Sequence, residues 1–258
     1  MRAVIDGDIL LYRIGFTTEL ETEGIAQFRM DELVHRILDT TKATEYQVYL
    51  SCGRKESFRA KLNSEYKANR TQPKPLHYQF LKNHLIDNWK AIVGVEEEAD
   101  DLIGIECSNP NVVSCTIDKD ILFGLQGQKY NFVKDIFHYT TEEDATLFFY
   151  KQLLMGDKAD NILGIKGIGP AKAGKALDSM LYESENILFT EVQDIYREWL
   201  KEEWADQYEE WGDFQEKQMN NLILLSGIQL KIRTEVGEIW EFPYKVDEKV
   251  RPQLDNME

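Results

Sequence analysis

The stretch AVIDGD at residues 3–8 is a short apolar run that stops at two aspartates and a glycine. Such a run predicts a buried β-strand that ends in a turn. Residues 9–14 then carry apolar side chains at a spacing that predicts a helix. A strand, a turn and a helix in this order are typical of the start of an α/β domain.

Two more apolar runs extend this pattern. Residues 47–50 (QVYL) and 112–116 (VVSCT) predict a second and a third strand, and residues 30–44 predict a helix. Alternating strands and helices indicate an α/β fold with a central, mostly parallel sheet sandwiched by helices. In such sheets ligands bind beyond the carboxyl ends of the strands. The acids that fall there are Asp6, Asp8, Asp118 and Asp120.

The composition fits one large domain, or one domain with a small appendage, in a chain of 258 residues. Hydrophobic residues make up 43% of the chain, enough for a buried core, which excludes a disordered protein. The three cysteines form no CxxC pair, which indicates a reduced protein rather than a disulfide scaffold or a zinc site. The first apolar run is broken at Asp6, and no run of about 18 apolar residues exists. We therefore expect a soluble, cytoplasmic protein with no membrane partner, in the host cytoplasm if the source is a virus.

The charge of the chain is unevenly distributed. A net charge of −16, if spread evenly, would argue against a nucleic-acid partner. Residues 54–74, however, carry a net +5 and residues 161–177 a net +3, whereas residues 191–216 carry −8. The two basic segments are therefore candidates for contact with nucleic acid.

Acids cluster at predicted strand ends and helix starts. One interpretation is structural, because acids favour the first turn of a helix. The joint pattern favours a metal site instead, since oxygen donors without His or Cys select Mg²⁺ or Mn²⁺. Two such ions about 4 Å apart are a standard arrangement for phosphodiester hydrolysis. Glu98 with Asp101, and Asp157 with Asp160, are three residues apart and are expected to share helix faces. The full set is Asp6, Asp8, Glu96, Glu97, Glu98, Asp100, Asp101, Asp118, Asp120, Asp157 and Asp160.

The basic insertion carries candidate phosphate ligands. Lys67 and Arg70 have helical spacing, so on a helix they would grip one phosphate. Tyr66 is expected to stack on a base, and Arg59 lies in the same basic segment as a further DNA contact. The alternative is a solvated surface helix.

A glycine-rich segment, GIKGIGPAKAGKAL, spans residues 164–177. Its second half fits the P-loop pattern GxxxxGK, but Ala176 stands where a P-loop has Ser or Thr, and no strand precedes it. A helix-hairpin-helix fits better, because its tight turn presents backbone amides to a phosphate. The predicted DNA contacts are Lys166, Gly167, Gly169, Lys172 and Lys175.

Five motifs together resemble one protein family. They are IDGD, FR-x6-YKANR, EADDLIG, TIDKD and GDKADNILGIKGIGPAKA, in that order along residues 1–180. In this order they resemble the flap endonuclease/5′→3′ exonuclease family, most closely its stand-alone bacteriophage or bacterial members.

The resemblance implies a helical arch and a helix-three-turn-helix DNA-binding region added to the α/β fold. The nuclease domain would span residues 1–160, with the arch insertion at about 53–90. Residues 161–258 would hold the DNA-binding helices, which often hold K⁺ in this family, and a C-terminal hairpin is expected at about 227–243. Lys67 and Arg70 match the catalytic pair that orients the scissile phosphate. The carboxylates that match the family's metal site are Asp6, Glu98, Asp100, Asp101, Asp118, Asp120, Asp157 and Asp160. Asp8, which is less usual in the family, is added to the predicted metal ligands as compensation for Cys52; the alternative is that one metal is held more weakly.

Cys52 stands where the family usually has an aspartate. We predict a monomeric, Mg²⁺- or Mn²⁺-dependent, structure-selective 5′→3′ exonuclease and 5′-flap endonuclease with a two-metal mechanism. Its partners would be 5′ ends, flaps and duplex junctions of DNA, and RNA primers. Its role would be replication (primer or flap removal) or DNA degradation. The alternatives are a non-catalytic branched-DNA-binding module that has lost a ligand at Cys52, and a ribonuclease on a related scaffold.

Overall fold

The computed structural model describes residues 1–253, so the last five residues of the predicted DNA-binding region 161–258 lie outside it. The chain forms two compact units that interleave along the sequence, rather than two domains divided once at residue 160. The first unit comprises Met1–Ser64, Thr71–Glu142 and Ile232–Glu238. The second comprises Glu65–Arg70, Glu143–Lys231 and the residues from Ile239 onward.

The first unit contains a six-stranded sheet in the order β3-β2-β1-β4-β5-β6. The strands are β1 (Arg2–Asp6), β2 (Glu45–Leu50), β3 (Ile92–Val93), β4 (Val112–Cys115), β5 (Gly127–Asn131) and β6 (Ile136–Thr140). The first five strands pair in parallel, and β6 pairs with β5 in an antiparallel hairpin. The prediction of a mostly parallel sheet is confirmed, although the β5–β6 hairpin was not predicted.

Helices cover both faces of this sheet. They are α1 (Gly7–Thr17), α2 (Glu23–Thr41), α3 (Phe58–Leu62), α4 (Tyr78–Trp89), α5 (Ala99–Cys107) and α6 (Lys119–Gly124). On one face Leu10, Val34 and Leu81 of α1, α2 and α4 pack in one apolar core with alternate strand residues such as Ile5. On the other face α5 and α6 pack in the same way. The sandwich follows from the strand sequences, which are apolar on both faces, as parallel strands require.

The second unit is helical. It contains α7 (Glu142–Met155), α8 (Pro170–Leu177), α9 (Glu185–Glu203) and α10 (Asp213–Leu230). Aromatic rings of Phe189, Trp240 and Phe242 pack together in its core. Across the described residues of both units, no helix is long and apolar enough to cross a membrane.

The predicted hairpin at residues 227–243 is wrong. Helix α10 continues to Leu230, and the described residues 231–247 contain no strand. Gly227 lies inside this helix, and the ring of Trp240 packs so closely against it that a Cβ there would stand 2.1 Å from a ring carbon, which requires glycine at this position. The buried apolar residues of this stretch, Ile228, Leu230, Ile232 and Trp240, thus lie at the end of a helix and in the irregular segment after it, not in paired strands.

The predicted arch insertion at residues 53–90 contains α3 and α4, together with a short 3-10 turn at Arg54–Glu56. The residues between α3 and α4, numbers 63–77, form turns and extended chain, with no helix among them. Lys67 has a φ of 54°, in the left-handed region, which interrupts any helix there. The helix that we expected under Lys67 and Arg70 is therefore absent.

Candidate active site

Three aspartates meet at the carboxyl ends of β1 and β4. Asp6 accepts a hydrogen bond from the backbone N–H of Ile9 at 3.1 Å and another from the Thr116 hydroxyl at 2.8 Å. Asp8 accepts one from the backbone N–H of Ser51 at the end of β2, at 3.2 Å. Asp118 accepts one from the backbone N–H of Asp120 at 2.8 Å. Sequence reasoning placed these acids at one sheet edge but did not identify Thr116 as a partner.

The electrostatics of Asp6 show how close these acids are. Burial and the charges of Asp8 and Asp118 together raise the pKa of Asp6 to about 7, against the hydrogen bonds from Thr116 and Ile9, which lower it. A carboxyl group in this position is only partly ionised at neutral pH. A cation among the three carboxylates would remove the repulsion and restore the charge of Asp6.

The loop before α5 carries the second group of acids. Glu98 caps α5, and Asp100 and Asp101 lie in its first turn. Asp101 is fully buried and receives both terminal nitrogens of Arg59, at 2.6 and 2.8 Å. Although burial opposes it, the charge and hydrogen bonds of Arg59 lower the pKa of Asp101.

Arg59 requires a correction. We expected this side chain to contact DNA, but it is buried and paired with Asp101 and with Glu98, whose carboxylate lies 3.4 Å away. Its guanidinium neutralises acids of its own unit and presents no surface to a phosphate. The adjacent ring of Phe58, 4.5 Å from the guanidinium carbon, closes it off further.

Cys52 is a buried thiol in the position where the resemblance leads one to expect an aspartate. Burial raises its pKa to about 11, and the charges of Glu98, Glu56 and other acids add to the effect. In the metal-free protein this thiol therefore stays protonated at neutral pH.

Within residues 1–253, no group of three or more His, Cys, Asp or Glu side chains is arranged so that it could hold a metal ion as it stands. The donor chemistry nevertheless fits a hard cation, because the acids at the sheet edge offer only oxygen. The raised pKa of Asp6 gives such a cation a favourable place to bind. Asp120 and Asp100 lie in first turns of α6 and α5 at this edge.

In the second unit, Asp157 and Asp160 lie in a turn after α7, not on a helix. Asp157 accepts hydrogen bonds from the backbone N–H groups of Ala159, at 2.7 Å, and Asp160. The backbone of Asp157 also pairs with that of Ile162. The shared helix face predicted for Asp157 and Asp160 is therefore wrong, since α7 ends at Met155.

The basic pair of the second unit converges on one carboxylate. The Lys67 ammonium lies 3.6 Å from an oxygen of Asp160, and the Arg70 guanidinium donates to the other oxygen. A backbone hydrogen bond also holds residues 65–70 against this turn, because the Lys67 N–H donates to the Asp160 carbonyl at 2.8 Å. The side chain of Asn69 donates to the Lys158 carbonyl at 2.7 Å. A turn thus brings together the two cations that we expected on a helix face.

Tyr66 also requires a correction. Its ring is only 2% exposed, and its hydroxyl donates to Asp160 at 3.3 Å. A ring in this position cannot stack on a base without leaving the core, so the structure gives it a packing role. The Lys67 ammonium lies 4.9 Å from the centre of the ring.

The glycine segment joins α7 to α8 by a tight hairpin. Gly156 and Gly164 pack against each other, and a Cβ on Gly164 would lie 2.1 Å from a main-chain carbon. Gly167 has a φ of 83°, which favours glycine. Helix α8 begins at Pro170 directly after Gly169. The side chains of Lys166, Lys172 and Lys175 are exposed around this hairpin.

Sequence reasoning missed Arg233. It lies in the stretch Ile232–Glu238, which returns to the first unit. Its guanidinium donates to Glu97 at 3.0 Å and lies 3.6 Å from the centre of the Phe58 ring. No motif marks this residue, and its ion-pair partner Glu97 is 136 residues away along the chain.

Residues 2–148 match the family described as "5'-3' exonuclease, N-terminal resolvase-like domain". A 5'-3' exonuclease from Mycoplasma pneumoniae is 29% identical over 200 residues, covering 66% of this chain and 68% of that protein. DNA polymerase I of Bacillus caldotenax is 29% identical over 232 residues, covering 77% of this chain and 25% of the polymerase.

Solved structures share the fold. A pseudo-enzyme–product complex of the bacteriophage T5 D15 flap endonuclease with DNA and metal ions has a TM-score of 0.59 and 17% identity. The similarity covers 90% of this chain and 89% of that one. The catalytic core of Rad2 in complex with DNA substrate has a TM-score of 0.50 and 14% identity, over 98% and 81% of the two chains. Because the family match covers more than half of the sequence, the chain belongs to the 5′-3′ exonuclease family of nucleases.

Proposed function

We propose that this protein is a divalent-metal-dependent, structure-selective 5′→3′ exonuclease and 5′-flap endonuclease that hydrolyses DNA. The observation that carries the proposal is the buried Asp6, whose pKa is raised to about 7 by burial and by the neighbouring charges of Asp8 and Asp118. Such a cluster is costly in a metal-free protein and favourable around a cation. Family membership and the relatives named above support the same conclusion.

The residues proposed to hold two or more Mg²⁺ or Mn²⁺ ions offer oxygen donors only. Asp157 and Asp160 lie in the second unit, where we propose that they contribute to binding a divalent ion. When bound, such ions make water nucleophilic at neutral pH and offset negative charge in the transition state. The proposed ligands of the first unit are Asp6, Asp8, Glu98, Asp100, Asp118 and Asp120.

Lys67 and Arg70 are proposed to bind the scissile phosphate. In the structure they hold the two oxygens of one carboxylate, Asp160, which has the charge and spacing of two phosphate oxygens. Bound to the substrate, they would orient the phosphorus for in-line attack by water and offset charge on its oxygens. Hydrolysis would break the bond to the 3′ oxygen and leave a 5′-phosphate.

The glycine hairpin is proposed to hold the duplex. We propose that its exposed lysines neutralise DNA phosphates without recognising the base sequence. The backbone N–H groups of Gly167 and Gly169 are proposed to bind phosphate in the same way. Such contacts suit a protein that recognises 5′ ends, flaps and duplex junctions. We propose a K⁺ ion as a further ligand of this hairpin, RNA primers as additional substrates, and a monomeric, cytoplasmic protein acting in replication or DNA degradation.

The test compares a 5′-labelled flap, a nicked duplex and a single strand, each with Mg²⁺ and with EDTA. We expect cleavage of the flap with Mg²⁺ and none with EDTA. Asp118→Asn should abolish cleavage and preserve DNA binding, whereas the exposed Asp87→Asn on α4 should keep full activity. Full activity of Asp118→Asn would refute the assignment. Binding without cleavage by the wild-type protein, at any Mg²⁺ or Mn²⁺ concentration, would support the non-catalytic alternative.

A further inference from the structure

We propose that Asp101 is an anchor rather than a metal ligand, and that Arg59 and Arg233 are positioning residues that act through it. Together they hold the loop that presents Glu98 and Asp100. The inference rests on the proposed function, since it concerns how the chain prepares its carboxylates for a divalent cation.

The hydrogen bonds of Asp101 leave no room for a metal. Its two oxygens accept four hydrogen bonds, two from Arg59 at 2.6 and 2.8 Å, and one each from the backbone N–H groups of Glu98 and Arg233, both at 3.1 Å. A carboxylate offers about four acceptor positions, so all of them are filled. To reach a metal, Asp101 would have to abandon a buried guanidinium, which is among the most costly changes in a protein interior.

Arg233 fixes the same loop from the opposite end of the chain. Its guanidinium donates to Glu97 at 3.0 Å and to the Glu238 carbonyl at 2.8 Å, and it lies over the ring of Phe58. Its carbonyl packs against Gly104 of α5, 2.2 Å from where a Cβ would stand. The side chain is buried, so these contacts are held in one geometry.

The consequence concerns Glu98 and Asp100, which directly precede the anchor in the sequence. The backbone of Glu98 is tied to Asp101, and its carboxylate lies 3.4 Å from Arg59. The positive charge of Arg59 lowers the repulsion among these acids before a cation arrives. If Arg233 is removed, the loop loses a fixed point, and we expect weaker cation binding with DNA binding unchanged.

The test measures Mn²⁺ binding directly, by electron paramagnetic resonance of free Mn²⁺, beside the Mg²⁺ dependence of flap cleavage. Arg233→Met should weaken Mn²⁺ binding about tenfold, the lower end of the usual effect of losing an outer-shell partner. The Mg²⁺ concentration for half-maximal cleavage should rise by the same factor, with kcat at saturating Mg²⁺ retained. Arg13→Met, an exposed change on α1, is the matched control and should alter neither value.

Asp101→Asn distinguishes anchor from ligand by the number of bound ions. Its single carbonyl oxygen can keep only one of the two backbone hydrogen bonds, which Glu98 and Arg233 donate to different oxygens of Asp101, so the change weakens the anchor without removing a proposed ligand. We expect the number of bound Mn²⁺ ions to stay the same as in the wild-type protein; loss of one ion would overturn the anchor role. If the Arg233→Met variant folds and binds Mn²⁺ with the affinity of the wild-type protein, the positioning role of Arg233 is overturned. If that variant does not fold, Glu97→Gln, which removes the charge that Arg233 pairs with, replaces it, and an affinity equal to wild type would have the same meaning. Absence of Mn²⁺ binding by the wild-type protein would instead refute the proposed function itself.

Discussion

Asp160 forms ion pairs with Lys67 and Arg70, the two side chains that are proposed to bind the substrate phosphate. Removing the charge of Asp160 therefore tests that proposal. In the structure the carboxylate pairs with Lys67 at 3.6 Å and with Arg70. A substrate phosphate must replace this carboxylate before it can bind the same two side chains. Asp160→Asn removes the competing charge while keeping the size of the side chain, so we expect it to bind DNA more tightly when no divalent ion is present.

The size of the effect follows from the exposure of the pair. The side chain of Arg70 is 55% exposed, and those of Lys67 and Asp160 are 12% and 16% exposed. Exposed ion pairs contribute about 0–1 kcal/mol each, and a partly buried pair lies toward the upper end. Relief of about 1 kcal/mol corresponds to roughly fivefold tighter binding. If both cations become available to phosphates, the dependence of log K on log[salt] steepens by as much as about 1.8.

The assay is fluorescence anisotropy of a labelled 5′ flap in EDTA, over a series of salt concentrations. Asp178→Asn is the matched control, because Asp178 lies in the same unit and pairs with Lys151 outside the turn. It makes the same change in net charge and should leave the affinity nearly unchanged. Equal tightening in both variants would show that only net charge matters, and weaker binding by Asp160→Asn would refute the exchange of partners.

Three further changes test the remaining features. Burial lowers the pKa of Lys129 to about 8 in the folded protein. Between about pH 8 and pH 10.4 the unfolded chain therefore binds more protons at this side chain than the folded protein does. The wild-type protein gains stability as pH rises through that window. Lys129→Met should therefore be more stable at pH 7 by up to about 3 kcal/mol in urea unfolding, with the difference shrinking toward pH 10; a constant difference would contradict this. Cys52→Asp adds a negative charge beside Glu98. Because the acids then repel each other more strongly, the melting temperature of the metal-free protein should fall. Because the acids also attract a cation more strongly, the Mg²⁺ concentration for half-maximal cleavage should fall, and an unchanged Mg²⁺ requirement would count against a nearby ion. Gly164→Ala would place its Cβ 2.1 Å from a main-chain carbon and should cost about 2 kcal/mol or more of stability, whereas Gly169→Ala points into open space and should cost little in the same unfolding assay.

Much of the sheet edge could be predicted because parallel pairing leaves little freedom. β1 and β4 are adjacent and in register, with Ile5 opposite Cys115, so the acids that follow them fall at one edge. The tight turn in the glycine segment was predictable for a similar reason, since Gly167 has a φ of 83°, which favours glycine. In both cases a local pattern has a single structural solution.

The remaining features depend on contacts that spacing does not determine. A separation of three residues places two side chains on one helix face, which is why we predicted a helix at Lys67 and Arg70. The structure instead has a turn there, in which the Lys67 N–H donates to the Asp160 carbonyl. Arg59 had the charge of a DNA contact, yet its partner Asp101 lies 42 residues away along the chain. The β5–β6 hairpin was missed because β6 is exposed along most of its length and β5 buries a lysine, so neither strand shows the expected alternation.

The partners of the acids separate the predicted metal set into groups with different chemistry. Asp6, Asp8 and Asp118 lie near one another and carry repulsion that only a cation or a proton relieves. Asp101 and Asp160 already have arginine partners, but Arg59 is 3% exposed whereas Arg70 is 55% exposed. A buried guanidinium cannot leave without stranding a charge, so the Arg59 pair is permanent. The Arg70 pair is solvated and weak, so a phosphate can displace it. We therefore expect burial, rather than the identity of the side chains, to decide which carboxylate anchors the structure and which exchanges its partner in the proposed binding of substrate.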